Sequence, residues 1–270
     1  DIGGSVSLKG QTISVFGSIE APAGSITIEG GGKFPLAAQQ EASTTSALPT
    51  LHLAPTAQLI ARGAKLQIPD PFGRKIGSVL SGGKVRLSGN IVAEAGAVVD
   101  VSGTSGTFDY LTTSVGSSAE SIQSNGMPLE PAGRNTIRLT VDSNGGVISL
   151  RGSQLLLADA TLDGRAGGTS AVGGSLTVSS SAYSLASGAD ITLSIRQSGP
   201  VIGSEPSTIS VGSVVLDSVG SEVNGGGFFA MDSFLSGGFS DLDLGYEYFS
   251  SASIPHGGNV RFEGQIDLEA

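Results

Sequence analysis

The stretch "GGFSDLDLGYEY", residues 237–248, concentrates the side chains best able to do chemistry. Eight of the 14 aromatic residues fall between Phe228 and Phe262: Phe228, Phe229, Phe234, Phe239, Tyr246, Tyr248, Phe249 and Phe262. Asp232, Asp241, Asp243 and Glu247 are interleaved with them. Asp241 and Asp243 stand two apart, so one strand face would carry both about 7 Å from each other. That spacing suits a shared calcium ion if a third oxygen joins them. Glycoside cleavage instead needs two carboxylates at a set separation, one with a raised pKa. Asp241, Asp243 and Glu247, or Asp109 beside Tyr110, are the candidates. Against a sugar cleft, the chain has no Trp to serve as a platform.

Other chemistries are thinner. A Ser-His-Asp arrangement would need His52 or His256. His52 lies in "LPTLHLAP", where alternation turns it away from the face of Leu51 and Leu53, and a solvated surface His is expected. His256 follows Pro255 at a Gly-Gly turn. No G-x-S-x-G elbow is present. Two separated His and no Cys exclude a His/Cys zinc cluster and thiolate chemistry. The "GGG" runs at 30–32 and 225–227 lack the Lys-Ser/Thr of a phosphate loop and read as turns. No catalytic or cofactor-binding residue is assigned, no enzyme activity and no cofactor are expected, and Asp241 with Asp243 is the one metal candidate.

The elements that would position these residues come from a repeat. The chain has 270 residues, 42 of them Gly, and only 14% are charged. Gly-Gly followed by alternating strand residues recurs as "GGSVSLKG" at 3–10, "GGKVRLSG" at 82–89, "GGVISLRG" at 145–152, "GGSLTVSS" at 173–180 and "GGNVRFEG" at 257–264. Within each, two apolar residues flank a polar one: Val6/Leu8, Val85/Leu87, Ile148/Leu150, Leu176/Val178 and Val260/Phe262. Period two puts each pair on one face. A second strand usually follows, as in "NIVAEAGAVVDVSG" or "SQLLLADATLDG".

Three strands per turn of about 20–25 residues fit a parallel β-helix, with rungs stacked about 4.8 Å apart. Propeller blades are longer and carry a Trp-Asp signature. The β-roll nonapeptide and the EF-hand loop are absent. The fold class is therefore all-β, one continuous domain over 1–270, with insertions near 33–50, 69–78, 104–135, 198–208 and 222–258. "PLAAQQEA" at 35–42 is the one helix candidate. In "SDLDLGYEY", Leu242, Leu244, Tyr246 and Tyr248 alternate with acidic residues and Gly245, which makes the opening stretch a rung strand. The nearby Phe residues would then fill or cover the core.

"GGSVSLKG…ISVFGSIEAPAGSITIEG", "NIVAEAGAVVDVSG", "ATLDGRAGG" and "GGFSDLDL…GGNVRFEGQIDLEA" resemble the repeats of filamentous-haemagglutinin-like large exoproteins of Gram-negative bacteria. The resemblance covers most of 1–32, 79–103, 136–197 and 207–270. It implies a right-handed parallel β-helix forming the shaft of a secreted surface fibre, exported by two-partner secretion through an outer-membrane transporter. It implies an extracellular, cell-surface adhesin whose partners are glycans or proteins of host or bacterial cells. The Asn-Pro motif of that family's export domain is absent. A β-helical carbohydrate-active enzyme or tailspike-like polysaccharide binder is the alternative.

Charge narrows the partners further. The net charge of −10 argues against nucleic acid. Lys and Arg read as single, scattered residues. No apolar run reaches the roughly 18–20 residues of a membrane helix, so no membrane insertion is expected. The chain reads as a piece of a longer protein, and flanking rungs or end-to-end or lateral self-association would cover its terminal strand edges.

Overall fold

The computed structural model describes residues 1–31, 48–68, 70–111, 136–180, 191–199, 211, 226–246 and 258–268. Alternating sequence and small-residue corners give a first circuit of β1 (Ser5–Gly10), β2 (Ile13–Val15) and β3 (Ser18–Glu20). The second circuit is β4 (Ser25–Gly30), β5 (Leu51–Leu53) and β6 (Gln58–Ile60). Each of its strands pairs in parallel with its counterpart, with Val6 opposite Ile26, Ile13 opposite Leu51 and Ile19 opposite Leu59. A hairpin of β7 (Ala64–Ile68) and β8 (Ile76–Leu80) then leaves the stack. The third circuit is β9 (Lys84–Ala93), whose two halves pair with β4 and β5, and β10 (Val98–Asp100). A second hairpin, β11 (Ser105–Leu111) and β12 (Thr136–Asp142), leads into β13 (Val147–Ala158) and β14 (Thr161–Asp163) of the fourth.

Beyond this point spatial order departs from chain order. β15 (Ser175–Ser180) stacks on the first half of β13. The next strand, β16 (Ile191–Arg196), does not stack on the second half. The later β17 (Gly226–Ala230) takes that place, with Leu155 opposite Gly226, and β16 pairs on its far side. An added Cβ on Gly227 would sit 2.8 Å from a Leu193 methyl, so Leu193 would have to shift to admit one. The helix α1 (Met231–Ser236) follows, then β18 (Asp241–Tyr246) on β15 and β19 (Gly258–Phe262) on β16.

Period-two alternation turns the repeat's apolar pairs inward as columns. Ile26, Val85, Ile148 and Leu176 form one and Ile28, Leu87, Leu150 and Val178 another, all buried. Leu59, Val99 and Leu162 form the column of the third face. Each such side chain contributes about 1.5–3 kcal/mol by leaving water. Leu8 of β1, and Val260 and Phe262 of β19, lie at outer strands of the stack and are exposed.

The Gly-Gly of the repeat has a packing reason. Gly4, Gly24, Gly83, Gly146 and Gly174 stack at one corner, and each carbonyl accepts the amide that enters the next strand. These bonds run from Ser25 to Gly4 (2.9 Å), Lys84 to Gly24 (2.9 Å), Val147 to Gly83 (2.9 Å) and Ser175 to Gly146 (3.0 Å). A Cβ on Gly24, Gly83, Gly146 or Gly174 would collide with the carbonyl oxygen of the glycine before it.

Several expectations are revised. "GGNVRFEG" is not a further copy in the same column: its strand β19 lies on β16, and "SDLDLG" occupies the place on β15. The stretch 222–258, expected as an insertion, contains β17, α1 and β18, all packed on the stack. The stretches 69–78 and 104–135, expected as insertions, include strands of the two hairpins that leave the stack. The helix candidate at 35–42 lies outside the described residues.

Candidate functional site

The aromatic-acidic stretch is a packing layer. Leu242 and Leu244 continue the inward columns opposite Leu176 and Val178. Phe229, Met231 and Phe239 are buried, and Phe234 stacks on Phe239 with ring centroids 6.2 Å apart. The short helix α1 lies over β14, closing the third face with side chains where a strand would otherwise stack. Asp241 and Asp243 point outward from β18, exposed, opposite Ser175 and Thr177. No cluster of three His, Cys, Asp or Glu able to hold a metal occurs among the described residues. Glu247 and His256 lie outside the described residues.

Asp109 and Tyr110 are placed on β11, in the second hairpin. Opposite residues of an antiparallel pair share a face, so Asp109 meets Arg138 of β12. Asp109 accepts from the Lys75 amide at 2.9 Å and from Arg138 Nε at 3.0 Å. The Asp109 amide donates to the Lys75 carbonyl at 2.7 Å, and this exchange clips the two hairpins together. Phe108, buried beneath them, would touch a Cβ placed on Gly77 of β8, and Lys65 lies over its ring at 5.5 Å. In the first hairpin Asp70 takes a bidentate grip from Arg74, which also lies over the Phe72 ring.

These bonds fix the ionisation of the acids. The Lys75 amide and then the Arg138 guanidinium hold the Asp109 carboxyl below the usual range, and Arg74 does the same for Asp70. Asp142, Asp163 and Glu263 are also shifted downward. A general acid needs the opposite shift. Because the folded values lie below the ordinary ones, the bonds to Asp70 and Asp109 stabilise the hairpins above the carboxylate range. That stabilisation is lost as pH falls through the folded values, below about pH 4. Hydrogen exchange at the Lys75 and Asp109 amides is expected to accelerate there ahead of exchange in β9, and Asp109→Asn is expected to flatten that pH dependence.

The hairpins carry the most unusual described surface. Leu66, Ile68, Phe72, Tyr110, Ile137 and Leu139 are all exposed. Basic residues gather in the same part of the chain: Arg62, Lys65, Arg74, Lys75, Lys84 and Arg86 lie within 62–86, where Asp70 is the one acid. The stretch has a net charge of +5 in a chain of −10. Lys and Arg are therefore not scattered singly. A sliding count of charge along the sequence would have found this.

His52 is the other correction. It faces away from the apolar column but is 2% exposed, because the outward layer around it is itself buried. Val92, its register partner, and Leu157 beyond are covered as well. Its Nε2–H donates to Glu94 Oε1 at 2.6 Å, and the Phe16 ring meets it edge-on at 5.9 Å. The partner, 42 positions away, enters with the corner after β9, so local pattern gave no sign of it. Thr50 and Asn90 next to it are also buried and bonded to each other, through the Asn90 amide to Thr50 Oγ1 at 2.9 Å.

The chain matches no protein-family model, no curated protein and no solved structure.

Proposed function

We propose that the chain is a shaft segment of a large secreted bacterial surface fibre, a right-handed parallel β-helix that acts by adhesion and not by catalysis. It works outside the Gram-negative cell, after export through an outer-membrane transporter. The observation that carries this reading is the combination of a regular parallel stack with two clipped hairpins that leave it and expose apolar and basic side chains. Regular parallel stacking gives length with few residues per unit. Apolar side chains held in water on a projecting platform favour a contact surface. The lowered acids on the hairpins favour binding over acid catalysis.

The partner is a glycan or protein on a host or bacterial cell. Beads coated with the purified chain are expected to bind such cells. An Ile68→Ser/Phe72→Ser/Tyr110→Ser variant is expected to lose at least about tenfold in adhesion, since a few exposed anchors dominate a contact. Its Tm should barely move, because all three side chains are exposed. Equal adhesion by parent and variant, or release of reducing sugar from a polysaccharide, would contradict the reading.

A further inference from the structure

We propose that the basic first hairpin and the start of β9 form a docking surface for a second copy of this chain, seated on the acidic outer face of β18. Three observations lead there. The first is charge. Residues 62–86 carry a net +5, whereas from Asp217 to the end the sequence has nine acidic residues and one basic. A copy therefore holds both halves of a complementary pair. The second is separation. β18 is three parallel pairings from β9, through β13 and β15, so roughly 14 Å of stack parts Lys84 from Asp241 in one molecule. Opposite charges at that distance are screened from each other in physiological salt, so they meet closely only between copies. The third is chemistry: the hairpin that carries exposed Lys75 also exposes Leu66, Ile68 and Phe72. That mixture suits a protein surface better than a polyanion, which has no use for the apolar side chains.

Lys75 and Lys84 are exposed on the basic side, and Asp241 and Asp243 on the acidic side. The two surfaces differ, so a head-to-tail contact between them is heterologous and builds a ring or an open row of copies. The association stands independently of the adhesive reading, because it needs no cell-surface partner.

Sedimentation of the purified chain over a concentration series tests it. The chain is expected to self-associate at low salt and to dissociate at high salt. K75E/K84E and D241K/D243K are each expected to raise the dissociation constant at least about tenfold. Mixed together, the two variants should associate again, through the acidic face left intact in one and the basic face left intact in the other, and through the two reversed faces. Circular dichroism and Tm matching the parent would show that both variants fold. A chain that stays monomeric at low salt overturns the proposal, as do variants that associate like the parent or a mixture that fails to recover. A monomeric chain that binds a soluble polyanion would assign the basic surface to that ligand instead.

Discussion

Gly146→Ala is expected to destabilise the protein by on the order of 3 kcal/mol, the upper range for forcing extra volume into a packed interior. The new methyl would point at the Gly83 carbonyl oxygen, which already accepts the Val147 amide at 2.9 Å. Backbone cannot rotate aside as a side chain can. Relief requires the two circuits to separate, and separation breaks the parallel pairing that runs from Val147 opposite Lys84 to Gly152 opposite Gly89. Gly83→Ala should behave alike, since its methyl meets the Gly24 carbonyl. The control is Gly245→Ala. That position has no atom within 4 Å of an added Cβ, and a change within about 0.5 kcal/mol is expected. Urea unfolding of the three variants gives the comparison. A Gly146→Ala variant as stable as Gly245→Ala would show that the corner glycines do not stack as described.

His52→Ala is expected to cost on the order of 3 kcal/mol, from a lost buried hydrogen bond and the cavity left behind. The loss leaves Glu94, 8% exposed, without its imidazole, and also leaves a void against Phe16 and Val92. The double variant His52→Leu/Glu94→Leu should lose much less than the sum of the two single changes. Exchanging both partners of a buried hydrogen bond for apolar groups of similar volume is often nearly neutral. Nδ1 of His52 has no hydrogen-bond partner among the described protein atoms. Strictly additive losses in the four-variant cycle would mean that the 2.6 Å contact contributes no coupling.

Much of the stack was legible because its cause is local. Alternation in "SVSLKG", "KVRLSG", "VISLRG" and "SLTVSS" sets which residues turn inward, and the Gly-Gly before each marks the corner. Neither needs knowledge of distant residues. What escaped was set by distant pairing. Asp109 and Tyr110 read as an acid beside an aromatic, yet β11 finds its partner β12 only across the intervening 112–135. His52 read as solvated because alternation gives a direction and not a cover. β17, and not β16, pairs with β13, and β16 lies on its far side with Leu193 opposite Gly227, a pairing that no local pattern announces. "GGNVRFEG" has the repeat's pattern but not its place, which shows that pattern specifies a strand's faces and not its neighbours. Asp241 and Asp243 were correctly put on one outward face, and no third ligand from the described residues joins them.

The stacked register supports every other statement about this molecule, and cysteine cross-linking tests it most directly. The chain has no Cys, so introduced pairs report alone. Thr27 lies opposite Arg86, Arg86 opposite Ser149, and Ser149 opposite Thr177, one outward column across four circuits. Parallel neighbours stand about 4.8 Å apart, within reach of a disulfide. T27C/R86C, R86C/S149C and S149C/T177C are expected to oxidise to intramolecular disulfides, and T27C/T177C, three spacings apart, to remain reduced. Failure of the three neighbouring pairs, or ready oxidation of the distant one, would contradict the account.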